Sequence, residues 1–353
     1  MSVGNIYKDK PMFGLDIGSS TIKVMQINSR KNGLQISGYG ATQFDPSYTE
    51  NGVITDLEGM AKSIKSMFDN DLIGHITTRR VAMSVPTSRT YSRVLTLPKL
   101  SNKELTEAIH LEAEQYIPVP IDDLYVDFDA IGENGENYDY FLVAIPKTIV
   151  DSYMQLGEIL GLEIAVLETS MNASSRLVSQ SEEINTPALF VDFGSVSADL
   201  TIYDGKPIVT GTVPGGGATF TQIISQKLGV NERIATTIKS KYGLGVSKKQ
   251  KEVTEALKPA LTSLTKEIKK MLRYYEDKTG GKKTINQIVT LGGGANMPGL
   301  NDFMTSELRM PTRMCHPWTH ISFGKLQPTS DVEKTMYVTV AGLALIDPKE
   351  VWK

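Results

Sequence analysis

Three short glycine-bearing segments constrain this chain more than anything else in it. The first runs Phe13-Gly14-Leu15-Asp16-Ile17-Gly18-Ser19-Ser20-Thr21-Ile22-Lys23-Val24. The second runs Leu189-Phe190-Val191-Asp192-Phe193-Gly194-Ser195-Val196-Ser197-Ala198-Asp199-Leu200. Both show an apolar run, then Asp, one apolar residue, Gly, small residues, and a second apolar run. That order predicts a strand, a tight turn and a strand, with Gly, Asp and Ser serving the bend. Each bend carries a carboxylate next to free backbone N–H groups, which are what a polyphosphate and its metal require. The third segment, Ile288-Val289-Thr290-Leu291-Gly292-Gly293-Gly294-Ala295-Asn296-Met297-Pro298-Gly299, predicts a strand followed by a glycine floor on which a nucleoside can rest.

The two turns lie about half a chain apart, within 353 residues. Residues 11–45 read as a three-strand meander, and the stretch from Pro187 to Pro214 repeats it. The repeat is a duplication of one unit, since its period is far too long for a solenoid. The predicted fold is therefore α/β, with two related lobes clamping a nucleotide between them. A helix is predicted at 57–68 and a strand at 81–85. Between them and the second copy lies a β-α-β-β-α stretch at 87–162. Its first helix opens on a capping box, Ser101 with Glu104, and its last runs from about 148 to 160. Residues 231–283 are helical and charged, with Val253, Leu257, Leu261, Leu264, Ile268, Met271, Leu272 and Tyr275 on one stripe. Pro259 is expected to kink or split that helix. A last amphipathic helix is expected over 330–346.

Composition narrows the function. A net charge of −3 gives no footprint for nucleic acid. The clusters Lys248-Lys249-Gln250-Lys251 and Lys282-Lys283 read as solvated edges. Cys315 is the single cysteine, which rules out an intrachain disulfide and suits a reducing compartment. Its neighbours His316 and His320 are too few for a zinc site. Met1–Lys10 has no apolar core, so no signal peptide is expected, and no apolar run approaches bilayer length. A cytoplasmic protein is expected, reaching a membrane only through a partner.

The three segments, in this order, resemble the superfamily of actin, the heat-shock chaperone ATPases and the sugar kinases. The insertion at 87–162 sits where FtsA-like proteins carry theirs. The text Val85-Pro86-Thr87-Ser88-Arg89-Thr90-Tyr91-Ser92-Arg93-Val94-Leu95-Thr96-Leu97-Pro98, followed by Glu112-Ala113-Glu114-Gln115-Tyr116-Ile117-Pro118, is similar to the PilM family of type IV pilus assembly proteins. The resemblance covers about residues 11–347. It implies an actin-like (ribonuclease H-like) duplicated two-lobed fold with an inserted α+β subdomain. The first lobe would comprise 11–86, 163–186 and 330–347, and the insertion 87–162. The second lobe would comprise 187–230 and 284–329, with a further subdomain at 231–283. The chain ends at Val351-Trp352-Lys353 without the membrane-targeting tail of FtsA, which favours PilM.

The resemblance also implies site roles. ATP and Mg²⁺ are the cofactors. Gly18, Ser19, Ser20 and Thr21 form the first phosphate loop, and Gly194, Ser195, Val196 and Ser197 the second. Asp16 and Asp192 hold the metal through water. Gly216 and Gly217 lie against ribose and phosphates. Gly292, Gly293, Gly294, Asn296 and Met297 contact the adenosine, with Lys239 beside the nucleoside. Glu168 orients the attacking water. One place departs from the family: Ala235-Thr236-Thr237-Ile238-Lys239 stands where Ala-Glu-x-x-Lys is usual, so weaker ribose recognition is expected. The implied function is a cytoplasmic ATP-binding scaffold of pilus assembly, with slow hydrolysis. It would dock the N-terminal segment of the inner-membrane protein PilN in a groove beside the insertion and link it to the pilus motor ATPases. Self-association is compatible with this reading. The rivals are an FtsA-like filament protein of cell division and a small-molecule kinase of the same superfamily.

Overall fold

A computed structural model describes residues 11–347 apart from Asn32 and Glu183. The stretches Met1–Lys10 and Val351–Lys353 lie outside the described residues. Two sheets carry the architecture. In the first, the order is Glu163–Thr169, Arg80–Val85, Phe13–Ile17, Thr21–Arg30, Gly33–Gln43 and Ile321–Ser322, with Leu72–Gly74 also pairing with Gly33–Gln43. In the second, the order is Pro207–Pro214, Ser197–Tyr203, Ala188–Phe193, Ile288–Leu291 and Thr312–Met314. Each contains the antiparallel meander expected from the sequence.

In each sheet the leading meander strand also takes a parallel neighbour, Arg80–Val85 in one and Ile288–Leu291 in the other. Parallel pairing needs a crossover, and helices supply it. Phe13–Ile17 is buried along its whole length, as a strand covered on both faces must be. The two sheets are therefore built on one plan.

Helix Val338–Ala344 and helix Ser170–Ser181 join the lobes. Val338, Val340 and Ala341 share one core with Met25 and Tyr39 of the first sheet and Phe190 and Val289 of the second. The expected amphipathic helix over 330–346 differs in form. The Ser330 hydroxyl donates to the Glu333 carboxylate at 2.6 Å, but a 3₁₀ turn follows at Lys334–Tyr337. The α-helix starts only at Val338 and is buried all round. It serves as a wedge between lobes, so it needs no polar face.

The insertion has its own small core. Leu95, Leu97, Leu105, Ile109 and Leu142 pack between the sheet of Tyr91–Pro98, Asn137–Pro146 and Leu124–Asn134 and the helix Asn102–Glu114. The capping box at Ser101 and Glu104 is present. Helix Lys147–Leu160, counted above with the insertion, packs elsewhere. Its Ile149, Tyr153 and Leu156 join Met60 and Ile64 of helix Leu57–Asn70 in the core of the first sheet. An apolar stripe does not say which sheet it will cover. The insertion also reaches the second sheet, where the Ser92 and Thr210 hydroxyls bond at 2.6 Å.

Pro259 neither ends nor splits its helix, which runs unbroken over Gln250–Lys278. The proline forfeits one backbone bond. The stripe from Val253 to Tyr275, buried in the core of the second sheet, holds the helix despite that loss. Strand Glu163–Thr169 and helix Ser170–Ser181 were not assigned from the sequence. Their short apolar run carries no clear period.

Two glycines show how closely the joint is packed. A Cβ on Gly14 would overlap the Val340 carbonyl, and one on Gly342 would overlap the Ala173 carbonyl. Gly14 thus marks a close backbone approach. Gly342→Ala should destabilise the protein by about 1–3 kcal/mol, the usual cost of overpacking. An unchanged urea midpoint in that variant would contradict the packing described.

Candidate functional site

The two turns close in the same way. In the first, Asp16 faces Lys23 and Ile17 faces Ile22 across the hairpin, which leaves Gly18–Thr21 as the loop. The Gly18 N–H donates to the Thr21 carbonyl at 2.9 Å, and the Gly194 N–H to the Ser197 carbonyl at 2.9 Å. Among the described residues, the N–H groups of Ser19, Ser20, Ser195 and Val196 enter no backbone hydrogen bond. They remain available at the two bends.

The second loop is clamped from behind. The N–H groups of Gly217 and Ala218 donate to the carbonyls of Gly194 and Ser195, at 2.9 and 2.8 Å. A Cβ on Gly216 would overlap the Gly194 carbonyl. Gly216 thus lies in close approach to the loop, and the Gly217 N–H is spent on Gly194. Gly292, at φ 80°, lies against the Asp192 carboxylate, where a side chain would collide. Asn296 turns its amide to the Val332 carbonyl at 2.9 Å and the Thr335 hydroxyl at 3.0 Å. It thereby ties the glycine segment to the chain leading into the buried helix.

These parts enclose one cleft of about 680 Å³. Asp16, Gly18–Thr21, Asp192, Gly194–Ser197, Gly217, Lys239, Gly292–Gly294, Asn296 and Met297 all line it. Gly216 stands just behind the wall. The Lys239 ammonium donates to the Gly217 carbonyl at 2.6 Å, and burial lowers its pKa.

Glu168, expected to orient the attacking water, is not among the residues that line the cleft. Its carboxylate is held by the Arg176 guanidinium at 2.6 and 2.8 Å and by the Asn172 amide. Arg176 also donates to the Gly342 carbonyl at 2.9 Å. Glu168 is therefore part of the joint between helices Ser170–Ser181 and Val338–Ala344. A carboxylate engaged in this way has little left to offer a water.

Sequence reading missed four charged residues in the cleft: Arg89 and Glu232 and, at the turns, Lys23 and Asp199. The latter two follow their turn aspartate across the hairpin: Lys23 faces Asp16, and Asp199 faces Asp192. Hairpin register alone could have found them. Their signs differ. Lys23 donates to Asp16 at 2.8 Å, and Ser84 donates to the same carboxylate at 2.6 Å. Asp192 has no such partner among the described residues. Burial, with the carboxylates of Asp199 and Asp16, pushes its pKa up to about 7, against the lowering effect of Lys23. Burial also raises Asp199 to about 6, opposed by a 2.6 Å bond from the Thr212 hydroxyl.

Three carboxylates at the strand ends thus share one ammonium, and this end of the site carries more negative charge than its own residues neutralise. A divalent cation fits that imbalance. Among the described residues no group of three or more acidic, histidine or cysteine side chains converges as a closed ligand shell. The cation that fits is one keeping most of its water, as Mg²⁺ does.

The charge excess makes a pH prediction. Because its folded pKa lies above the ordinary 3.8, Asp192 is protonated more readily in the folded protein than in the unfolded chain. The stability it contributes is complete below about pH 4 and is lost as pH rises through about 7. In metal-free buffer, Asp192→Asn should be more stable than the parent near pH 8, with the gain shrinking towards pH 4. Urea unfolding of both proteins across that range checks it. Equal stability at high pH would contradict the charge account.

Comparison with known proteins places this geometry. The FtsA cell division protein of Borreliella burgdorferi is 25% identical over 359 residues, covering 88% of this chain and 86% of that one. A solved PilM–PilN type IV pilus biogenesis complex superposes with a TM-score of 0.81 at 23% identity, covering 96% of this chain and 98% of that one. MreB5 of Spiroplasma citri, solved with AMPPNP, superposes at 0.55 with 13% identity over 94% of each chain. These likenesses establish the two-lobed actin-like fold. The profile of the family described as type IV pilus assembly protein PilM matches residues 14–347. The chain therefore belongs to the PilM family of type IV pilus assembly proteins.

Proposed function

We propose that this protein is a nucleotide-loaded scaffold of type IV pilus assembly. ATP with Mg²⁺ would occupy the cleft, and the N-terminal cytoplasmic segment of the membrane protein PilN would dock beside the insertion. The observation that carries the nucleotide reading is the pair of facing turns around an excess of negative charge. Family membership carries the pilus reading. The chemistry is coherent from one end of the cleft to the other. Backbone N–H groups at Ser19, Ser20, Ser195 and Val196 suit phosphate oxygens without side-chain bulk. Asp16 and Asp192 would hold the metal through its waters. When bound, Mg²⁺ supplies positive charge to both carboxylates and phosphates. Gly292–Gly294 leave a bare wall for the nucleoside.

Hydrolysis is proposed to be slow. The carboxylate expected to orient water, Glu168, is tied to Arg176, and the cleft aspartates are committed to charge balance. The role is one of holding and presenting, and contact with the motor ATPases belongs to the same proposal. Among the described residues no helix is long and apolar enough to cross a membrane. Attachment to the inner face of the cell membrane would then come through PilN. The likeness to FtsA keeps a filament-forming role as the second reading. Sedimentation with lipid vesicles without any partner would favour it.

Calorimetry tests the nucleotide reading. MgATP should bind the parent protein, and Asp192→Asn should weaken it by roughly tenfold or more, since a charge-assisted contact is worth about 1.5–3 kcal/mol. The same variant is predicted above to be the more stable one without ligand, so weak binding could not be blamed on unfolding. Undiminished MgATP affinity would refute the assignment. Capture of a synthetic PilN N-terminal peptide by the protein tests the docking half, and no capture with or without MgATP would refute it.

A further inference from the structure

We propose that Glu232 recognises the ribose of the bound nucleotide. The inference rests on the nucleotide reading and names a residue that decides specificity within it. A ribose presents two neighbouring hydroxyls, both hydrogen-bond donors. Their best acceptor is a carboxylate, which can take both. Four carboxylates line the cleft: Asp16, Asp192, Asp199 and Glu232. The first three crowd the strand ends, and Asp16 is already engaged by Lys23 and Ser84. Glu232 stands apart, on helix Glu232–Lys241.

That helix forms one wall. Glu232, Thr236 and Lys239 fall on one helical face at spacings of four and three residues, and all three line the cleft. Lys239 is anchored to the Gly217 carbonyl beside the second loop. Glu232 sits two turns away, roughly 10 Å along the axis from the rise per residue. Among the described residues the Glu232 carboxylate enters no hydrogen bond and no ion pair. Helix capping does not require it, because Asn231 already caps the helix by accepting from the Ile234 N–H at 2.9 Å. The plain alternative is that Glu232 only favours the helix N-terminus through the macrodipole.

Calorimetry with three ligands separates the two. Wild type and Glu232→Gln would each be titrated with MgATP, with Mg-2′,3′-dideoxyATP and with Mg-tripolyphosphate. Wild type should prefer ATP to dideoxyATP by roughly tenfold, and Glu232→Gln should lose most of that preference by weakening ATP alone. Tripolyphosphate affinity should not change. A preference that survives in Glu232→Gln would overturn the assignment. So would a rise in ATP and tripolyphosphate affinity together, which would mean that the carboxylate merely repels phosphate. If wild type binds neither nucleotide, the cleft reading falls and this assignment with it. If it binds both equally, only the ribose assignment falls.

Discussion

One like-charge pair governs this structure: Asp192 and Asp199, facing each other across a hairpin at the edge of a buried cleft. Directly opposed like charges weaken a sheet, and burial makes the repulsion worse. The duplicated hairpin in the first lobe answers its aspartate with Lys23. The second does not. The fold therefore tolerates a local charge that is relieved by a proton on Asp192 or by a cation from outside. On the proposed function, the same imbalance that costs stability would favour a metal-bound polyphosphate.

The rest of the architecture keeps the two turns facing each other. The buried helix Val338–Ala344 and helix Ser170–Ser181 form the joint between the sheets. Gly14 and Gly342 let backbones meet there without intervening side chains. The Glu168–Arg176 pair fastens the same joint, through the Arg176 bond to Gly342. The glycine segment is tied into this joint as well, since Asn296 and the Gly292 carbonyl both bond Thr335. A ligand pressing on the cleft floor would thus press on the chain that connects the lobes. The insertion is covalently rooted beside the first sheet and touches the second at Thr210. It is placed to feel any change in the angle between them.

Much of this was legible in the chain because it is local. The two meanders, their turns, the Ser101–Glu104 capping box and the stripe of helix Gln250–Lys278 follow from short-range spacing. What failed depended on distant partners. Glu168 looks like any other cleft carboxylate until Arg176 is brought against it. Helix Lys147–Leu160 follows the insertion in sequence, yet its Tyr153 and Leu156 are buried with Met60 in the first lobe. Pro259 signals a break that a largely buried stripe overrides. The last helix was expected to have a polar face, but tertiary burial leaves it none. Lys23 and Asp199 are a different case, since their cross-strand positions follow from hairpin register, and their opposite charges were already in the sequence.

The central claim is that the twin turns bind one metal–nucleotide between them. A crystal structure of the protein grown with ATP and Mn²⁺, with anomalous data at the manganese edge, tests it most directly. The account predicts a single anomalous peak within water-bridging distance of Asp16 and Asp192, with phosphate oxygens on the N–H groups of Ser19, Ser20, Ser195 and Val196. A nucleotide bound elsewhere, or a cleft without manganese at saturating ATP, would contradict it.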